Sequence, residues 1–250
     1  MSGPLPPAAV LVVMPAWNEA ESVAMVIKET REAVPGADIL VVDDASSDAT
    51  ASEARSAGAE VITNVFNLGV GGAMRVGFRH AARRGHRLMV QVDADGQHDP
   101  RDIPRLLAAV DASDEPQIII GARFAGAGAF PVPRARRWAM RLLATYLSRL
   151  TRTELTDVTS GYRAYNRAAI ELFSRTYPAD YLSDTVESLV IASRAGMRIG
   201  QVPVSMRARQ AGTPSQSAWR AVLYLARVTV MLLLEIIRRR FPAGAPEEDR

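Results

Sequence analysis

Acidic and amide side chains follow three short apolar runs in the first half of the chain. The polar segments are residues 15–19 (PAWNE), 43–48 (DDASSD) and 93–97 (DADGQ). Asp, Asn and Ser at such places also form turns and cap helices, and this interpretation stays open for each segment taken alone. Three acidic segments at one edge of a sheet would repel one another unless a cation or hydrogen-bond donors neutralise them.

Asp93 and Asp95 form the best candidate cation site. Mg²⁺ binds oxygen ligands and shares its remaining positions with phosphate oxygens, and Gln97 can add a neutral carbonyl oxygen. The three histidines lack metal-ligand spacing, and the absence of cysteine excludes zinc fingers, iron–sulfur clusters, disulfides and thiol catalysis. The pattern therefore predicts a hard divalent cation.

Residues 67–73 (NLGVGGA) form a glycine-rich turn into a helix. Met74 stands where the dinucleotide-binding fingerprint needs its third glycine, and the chain has no Gly-Lys-Ser/Thr of a P-loop. The turn either packs a helix closely or lets the backbone approach a nucleotide or sugar. No Gly-x-Ser-x-Gly elbow is present, so a hydrolase triad is poorly supported.

Alternating strand and helix signals indicate how these segments are positioned. Strands are predicted at residues 9–14, 39–42, 61–64, 88–92 and 117–121, and helices at about 18–33, 48–57, 70–84 and 99–110. Asn18 is the expected N-cap of the first helix, and Asp99-Pro100 opens the fourth. This rhythm predicts an α/β fold with a mostly parallel sheet between helices, whose ligands bind beyond the carboxyl ends of the strands.

The second half of the chain has a different pattern and charge. A basic helix at 134–150, strands at 162–166 and 198–204, helices at 167–173 and 184–195, and an apolar-basic helix at 218–240 are expected. The net charge of +3 over 250 residues hides a split, since residues 1–125 carry −6 and residues 126–250 carry +9. Lys28 is the single lysine. The two halves therefore suggest different partners.

Six segments together resemble a known family. They are residues 13–19 (VMPAWNE), 41–50 (VVDDASSDAT), 67–77 (NLGVGGAMRVG), 92–100 (VDADGQHDP), 121–123 (GAR) and 157–165 (DVTSGYRAY). In this order they resemble the inverting family 2 glycosyltransferases of GT-A fold. Within that family they are most similar to the dolichol-phosphate mannose synthase and polyprenyl-phosphate glycosyltransferase group. The resemblance covers residues 10–217.

The resemblance implies a nucleotide-diphosphate sugar donor, a GDP- or UDP-sugar, together with Mg²⁺ or Mn²⁺. It implies that Asp93, Asp95 and Gln97 ligate the metal. It places the donor among Pro15, Trp17, Glu19, Asp43, Asp44, Gly69, Arg75, Asp93 and Arg209. Trp17 stands where the family usually has tyrosine, so an aromatic wall remains but a hydroxyl is lost. Thr-Pro-Ser follows Gly212 where the family often has Ser-Lys, which leaves a lysine contact of that loop in doubt.

The resemblance also implies an acceptor side. Arg123, with Arg136 or Arg137, would receive the phosphate of a polyprenyl phosphate, and Asp95, Asp157 and Glu187 would be the catalytic carboxylates. Asp157 and Glu187 are candidates for an acceptor-side base or orienting group. The implied reaction is a metal-dependent inverting hexosyl transfer, and the alternative is a family 2 enzyme that uses a polysaccharide or soluble acceptor.

We expect five parts: a disordered N-terminus at 1–8, a nucleotide-sugar-binding half at 9–125, an acceptor-binding half at 126–217, an amphipathic helix at 218–240 and a disordered tail at 241–250. The helices at 134–150 and 218–240 either pack on the sheet or lie in a membrane interface. Residues 228–234 are far shorter than the ~20 apolar residues that a membrane crossing needs.

The expected location is the cytoplasm, peripheral on the inner face of the cell membrane. The last helix could bind lipid or a separate small membrane protein, and self-association is plausible because an apolar helix is exposed. A nucleic-acid-binding module is disfavoured by the acidic strand ends and the lack of a recognised binding motif, so no nucleic acid is expected. A nucleotidyltransferase would need a glycine-rich phosphate loop near the N-terminus, which this chain lacks.

Overall fold

The computed structural model describes residues 9–111, 116–123, 134–178 and 184–207, with the backbone alone for residue 123 and residues 134–142. The expectations for residues 1–8, 125–133, 210–217, 218–240 and 241–250 lie outside this part of the chain. Its strands are β1 (Val10–Ala16), β2 (Asp38–Asp43), β3 (Glu60–Thr63), β4 (Leu88–Gln91), β5 (Ile118–Arg123), β6 (Arg163–Asn166) and β7 (Ile199–Val204). Its helices are α1 (Val23–Ala33), α2 (Thr50–Ser56), α3 (Gly69–Arg84), α4 (Ile103–Asp111), α5 (Arg134–Thr151), α6 (Arg167–Thr176) and α7 (Asp184–Arg194), and a 3-10 helix (Pro100–Asp102) leads into α4.

The strands form one sheet in the order β3-β2-β1-β4-β6-β5-β7. Strand β6 runs antiparallel to β4 and β5, and the other neighbouring pairs are parallel. The prediction of an α/β fold with a mostly parallel sheet is therefore confirmed. The long crossovers that parallel neighbours require are made by the helices between them.

The apolar run of β1 is buried on both faces because helices cover both sides of the sheet. Val12 and Met14 belong to the core that includes buried residues of α1, α2 and α4. Val13 points to the opposite face, toward α3. A Cβ placed on Gly77 of α3 would lie 2.6 Å from Val13 Cγ1, so a glycine is needed for this close approach.

Two predicted helix starts have different outcomes. Asp99 caps as expected, since its side chain accepts a hydrogen bond from the Arg101 N–H at 3.1 Å. The prediction that Asn18 caps the first helix is wrong, because α1 begins at Val23 after Ser22. Asn18 instead adopts a left-handed conformation with φ +55°, which asparagine tolerates better than most residues. Its side chain is thereby freed to bind another turn.

The basic helix predicted at 134–150 forms as α5 and packs against α7. Leu143 and Leu147 are buried, whereas Arg149 is exposed. The described end of α5 thus has one face in contact with protein and another face in contact with solvent. Within the residues that the structure describes, no helix combines the length and hydropathy needed to cross a membrane.

Parallel pairing of β2, β1 and β4 brings the three polar segments to one side of the sheet. Ala16 pairs with Asp43 at the ends of β1 and β2, and Val13 pairs with Gln91 at the end of β4. We call this side the carboxyl edge, and it comprises residues 17–19, 43–48 and 92–99. The adjacency of the acidic segments follows directly from the strand order.

Candidate active site

The turns after β1 and β2 hold each other in place. The Asn18 N–H donates to Ser46 Oγ at 2.9 Å, and Asn18 Oδ1 accepts from the Ser47 N–H at 2.8 Å. The Glu19 N–H donates to Thr50 Oγ1 at 2.8 Å, at the start of α2. These bonds explain why Asn18 does not cap α1, since its amide oxygen accepts a hydrogen bond from the turn after β2 instead.

Several predicted nucleoside-pocket residues lie together at these turns. Pro15 is buried in the last part of β1, and Trp17 directly after the strand leaves 43% of its surface exposed. Asp43 is buried, with Oδ1 accepting from the Ser46 N–H at 3.2 Å. The exposed indole ring of Trp17 can stack on a flat ring, and the carboxylate of Asp43 can accept hydrogen bonds.

Each of the three turns at the carboxyl edge contains one residue in the left-handed region. These residues are Asn18 with φ +55°, Ala45 with φ +59° and Gly96 with φ +75°. The conformation is easy for glycine and tolerable for asparagine, but costs an alanine roughly 1–2 kcal/mol. Strained backbone of this kind persists where the surrounding contacts enforce it, and it is concentrated at functional sites.

Asp44 fixes the glycine-rich turn to the end of β2. Its Oδ1 accepts from Asn64 Nδ2 at 2.8 Å and from the Leu68 N–H at 2.9 Å, and its Oδ2 accepts from the Gly69 N–H at 2.7 Å. The carboxylate is buried and is used to hold backbone at the start of α3. Asp44 therefore shapes the predicted donor site by positioning this turn.

The start of α3 combines close packing with a half-buried arginine, Arg75. Gly69 has φ +76°, and a Cβ on Gly72 would overlap the Leu68 side chain, so both glycines are needed for the turn. Within the described residues, the Nε atom of Arg75 is buried and lacks a hydrogen-bond partner. Because this Nε–H group lacks a partner in the described part of the protein, it fits the expectation that Arg75 binds an anionic group of the nucleotide sugar.

The loop after β4, residues 92–99, presents the predicted metal ligands; we call it the β4 loop. Asp95 is buried and its Oδ1 accepts from the Gln97 N–H at 2.9 Å, while the side chain of Asp93 is 38% exposed. His98 Nδ1 accepts from the Asp93 N–H at 3.0 Å, which leaves the proton of a neutral ring on Nε2. That Nε2 atom lies 3.7 Å from Asp93 Oδ2.

The oxygens of the β4 loop fit part of a divalent-cation shell. Among the described residues, no group of three or more His, Cys, Asp or Glu side chains could hold a metal by itself. Mg²⁺ typically takes one or two protein carboxylates and fills its other positions with substrate phosphates and water. Asp93, Asp95 and Gln97 therefore suit a cation that arrives with a diphosphate, and they do not form a complete protein cage.

Asp99 ends the β4 loop inside a cluster of arginines. Hydrogen bonds from Arg101 and, to a smaller extent, from Arg207 together lower the pKa of Asp99 to about 2, against the opposite effect of burial. The Tyr162 hydroxyl donates to the Asp99 carbonyl oxygen at 2.7 Å, and the Tyr162 ring stacks on His98 with centroids 4.6 Å apart. The loop is thus braced on several sides.

The segment that precedes β6 lies beside the β4 loop. A Cβ on Gly161 would lie 2.9 Å from Gln91 Nε2 and 3.7 Å from Asp93 Oδ1, so the backbone passes close to the predicted metal ligand Asp93. Arg163 is buried and donates to the carbonyl oxygens of Ser160 and Val158 and to Ser188 Oγ. This arginine ties the 158–161 segment to α7.

The predicted acceptor-side carboxylates lie on these same elements. Asp157 is buried, and its Oδ1 accepts from Thr159 Oγ1 at 3.2 Å. Glu187 is half-buried in the first turn of α7. Arg163 connects the segment next to Asp157 with α7, which carries Glu187.

Asp184, the first residue of α7, is a buried titratable group outside the predicted set of site residues. Burial raises its pKa to about 6; the positive charge of Arg163 opposes that shift, and the negative charge of Asp93 adds to it. Its Oδ2 is buried without a hydrogen-bond partner in the described part of the chain. Tyr165 and Tyr177 lie within its electrostatic reach, and burial raises the pKa of both hydroxyls.

Four predicted residues cannot be placed by their side chains. Arg209 lies outside the described residues, and Arg123, Arg136 and Arg137 are described by backbone alone. Sequence reasoning also missed the structural importance of Arg163 and Arg207. Arg163 could have been suspected from the SGYRAY segment, but Arg207 gave no signal because it is one arginine in an arginine-rich half.

We predict that Asp44→Ala lowers the free energy of unfolding by about 1–3 kcal/mol, because the Leu68 N–H and the Asn64 side-chain amide lose their acceptor and the Gly69 N–H loses the nearer of its two acceptors. Urea unfolding followed by circular dichroism measures the loss. Asn67→Ala is the matched control, since it removes only an exposed acceptor at 3.1 Å from the same Gly69 N–H. Equal losses in the two variants would contradict this role of Asp44.

Asp184 predicts a pH dependence of stability. Its pKa is raised from 3.8 to about 6, so the folded state binds an extra proton between these values, and the unfolding free energy due to this group falls as pH rises through this window. In Asp184→Asn that fall is absent. The stability of the variant relative to the natural chain should therefore rise by about 2 kcal/mol from pH 4 to pH 7, measured by urea unfolding in EDTA. A relative stability that stays constant across this range would refute the assignment.

Comparison with known proteins agrees with the fold. The family model described as Glycosyl transferase family 2 matches residues 11–173. Undecaprenyl-phosphate mannosyltransferase from Micrococcus luteus is 35% identical over 219 residues, which are 83% of this chain and 87% of that protein. Polyprenol monophosphomannose synthase from Mycolicibacterium smegmatis is 32% identical over 83% of this chain and 80% of that protein.

Solved structures share the architecture at lower identity. Glucosyl-3-phosphoglycerate synthase from Mycobacterium tuberculosis, crystallised with Mn²⁺, uridine diphosphate and glucosyl-3-phosphoglycerate, superposes with a TM-score of 0.66 at 23% identity, over 90% of this chain and 78% of that chain. The same enzyme has been crystallised with Mg²⁺ and uridine diphosphate, with a TM-score of 0.65. By its matched family model, its relatives and its sheet, this chain belongs to glycosyl transferase family 2 and is a glycosyltransferase of GT-A fold.

Proposed function

We propose that this glycosyltransferase moves a hexose, with inversion, from a GDP- or UDP-sugar to a polyprenyl phosphate in a reaction that depends on Mg²⁺ or Mn²⁺. The observation that carries the acceptor is the similarity to a transferase named for undecaprenyl phosphate, at 35% identity over 83% of the chain. A second relative, 32% identical, is named for polyprenol monophosphomannose. The sugar itself stays open.

The donor half of the proposal is supported by the carboxyl edge. Trp17 and Asp43 would receive the nucleoside, and the start of α3 with Arg75 would lie against the diphosphate. Asp93, Asp95 and Gln97 would hold the cation. When bound, a divalent cation would neutralise charge that develops on the departing diphosphate.

The acceptor half follows from charge. A phosphate is already anionic and nucleophilic, so it needs little help from a general base, and the larger task is to bring two anions together in the correct orientation. Arg123, Arg136 and Arg137 would bind the acceptor phosphate, and Arg209 would contact the donor phosphates. Asp157 and Glu187 would orient the acceptor.

A lipid-linked acceptor supplies a reason to act at a membrane surface. The arginine excess of residues 126–250, with a net charge of +9, favours an anionic surface, and the helix expected from sequence at 218–240 would bind lipid or a small membrane protein. Nucleotide sugars are made in the cytoplasm, so the inner face of the cell membrane is the proposed place of action.

Purified protein with radiolabelled GDP-mannose, UDP-glucose or UDP-N-acetylglucosamine and undecaprenyl phosphate tests this proposal. With Mn²⁺ or Mg²⁺, label from one donor should enter the organic phase, and EDTA should abolish the transfer. Asp93→Asn and Asp95→Asn should each lower kcat/KM by about 100-fold or more, because each removes charge from the cation site.

Asp111→Asn is the matched control, since Asp111 pairs with Arg87 at the far end of α4, away from the carboxyl edge. Label that moves only into water-soluble products would favour a polysaccharide or soluble acceptor and would overturn the proposed one. Full transfer by the Asp93 and Asp95 variants would overturn the metal assignment.

A further inference from the structure

The strand that ends at Val204 continues into a short segment that pairs with the β4 loop. We call residues 205–207 the β7 tail. The Arg207 N–H donates to the Gln97 carbonyl oxygen at 2.9 Å, and Met206 forms an antiparallel bridge with His98. The Ser205 N–H donates to Asp102 Oδ2 at 2.7 Å. The backbone of the proposed metal ligand Gln97 is thus held by a segment more than 100 residues away in sequence.

The side chain of Arg207 anchors this pairing between two carboxylates. Its Nη2 donates to Asp99 Oδ1 at 2.7 Å, and its Nη1 donates to Glu29 on α1. The arginine side chain is 21% exposed, and those of Glu29 and Asp99 are 31% and 7% exposed. The guanidinium therefore connects α1 to the end of the β4 loop in a largely enclosed position.

The planar fork of arginine suits this position better than a lysine ammonium would. Two of its nitrogens reach two different carboxylates at once, while its backbone N–H reaches Gln97. Asp99 has a second cationic partner in Arg101, so loss of Arg207 would not leave Asp99 unpaired. What would be lost is the connection between α1, the β7 tail and the β4 loop.

We propose that Arg207 is a positioning residue for the cation site: by clamping the β7 tail between Asp99 and Glu29, it fixes the backbone of Gln97 and thereby raises the affinity for the divalent cation and its diphosphate. This inference rests on the proposed function, because that function makes Gln97 a metal ligand. Partners that orient metal ligands commonly change metal affinity by 10–100-fold when they are removed.

The test measures Mn²⁺ binding directly, from the electron paramagnetic resonance signal of free Mn²⁺, with GDP or UDP in excess. Arg207→Met should weaken Mn²⁺ binding by about 10-fold or more, Glu29→Gln should weaken it less, and Arg207→Lys should recover part of the affinity. Melting temperatures without metal confirm that each variant is folded. In the transfer assay, Arg207→Met should raise the Mn²⁺ concentration needed for half-maximal rate, while the rate at saturating Mn²⁺ stays within about threefold of normal.

Arg105→Met is the matched control. Arg105 also donates to this part of the chain, to the Pro203 carbonyl oxygen at 2.9 Å, but it makes no described contact with residues 97–99, and its side chain is 58% exposed. Its Mn²⁺ affinity should equal that of the natural protein within about twofold.

The outcomes separate the two proposals. Failure of the natural protein to bind Mn²⁺ with either nucleoside diphosphate overturns the proposed cation site and this inference with it. Binding of Mn²⁺ by the Asp93→Asn variant as tightly as by the natural protein has the same consequence. If binding is normal and is lost in Asp93→Asn, but Arg207→Met and Arg105→Met both match the natural protein, then only the role of Arg207 is overturned.

Discussion

Repulsion between carboxylates is the constraint on which the carboxyl edge depends. Parallel pairing of β2, β1 and β4 forces three acidic segments together, and each buried carboxylate is met by donors from the chain itself. Asp43 and Asp44 accept backbone N–H groups, and Asp95 accepts the N–H of Gln97. These bonds satisfy carboxylate oxygens that are buried away from water. Asp93 differs from Asp43, Asp44 and Asp95, because its side chain is 38% exposed and theirs are buried. This exposure suits the proposed role of Asp93 as a cation ligand.

The same bonds position the rest of the site. Asp44 holds the turn at the start of α3. The glycines of this turn would let the backbone approach the proposed diphosphate, and the buried Nε of Arg75 lies on the same helix. On the other side, Tyr162 and Arg207 hold the end of the β4 loop. The charge split of −6 and +9 places the acidic carboxyl edge in the first half of the chain and the arginine excess in the second half. The modest net charge of +3 conceals this division.

Much of this arrangement is predictable from sequence because it depends on local patterns. Continuous apolar runs identify buried strands, and the residues that follow them define the edge once the strands are known to be parallel. Asn18 was wrongly expected to cap α1, because a capping side chain and a turn-binding side chain look alike in sequence. The clamp by Arg207 depends on its contact with the distant Glu29, and the raised pKa of Asp184 depends on its burial in the folded chain, and no local pattern encodes either of them.

If the carboxyl edge binds a divalent cation together with a nucleoside diphosphate, crystals grown with Mn²⁺ and GDP or UDP should reveal both when measured at the manganese absorption edge. We expect one anomalous peak with oxygens of Asp93, Asp95 and the diphosphate at roughly 2.0–2.3 Å, and a base beside Trp17. A nucleotide bound at this edge without a manganese peak there, or a peak away from both aspartates, would contradict it.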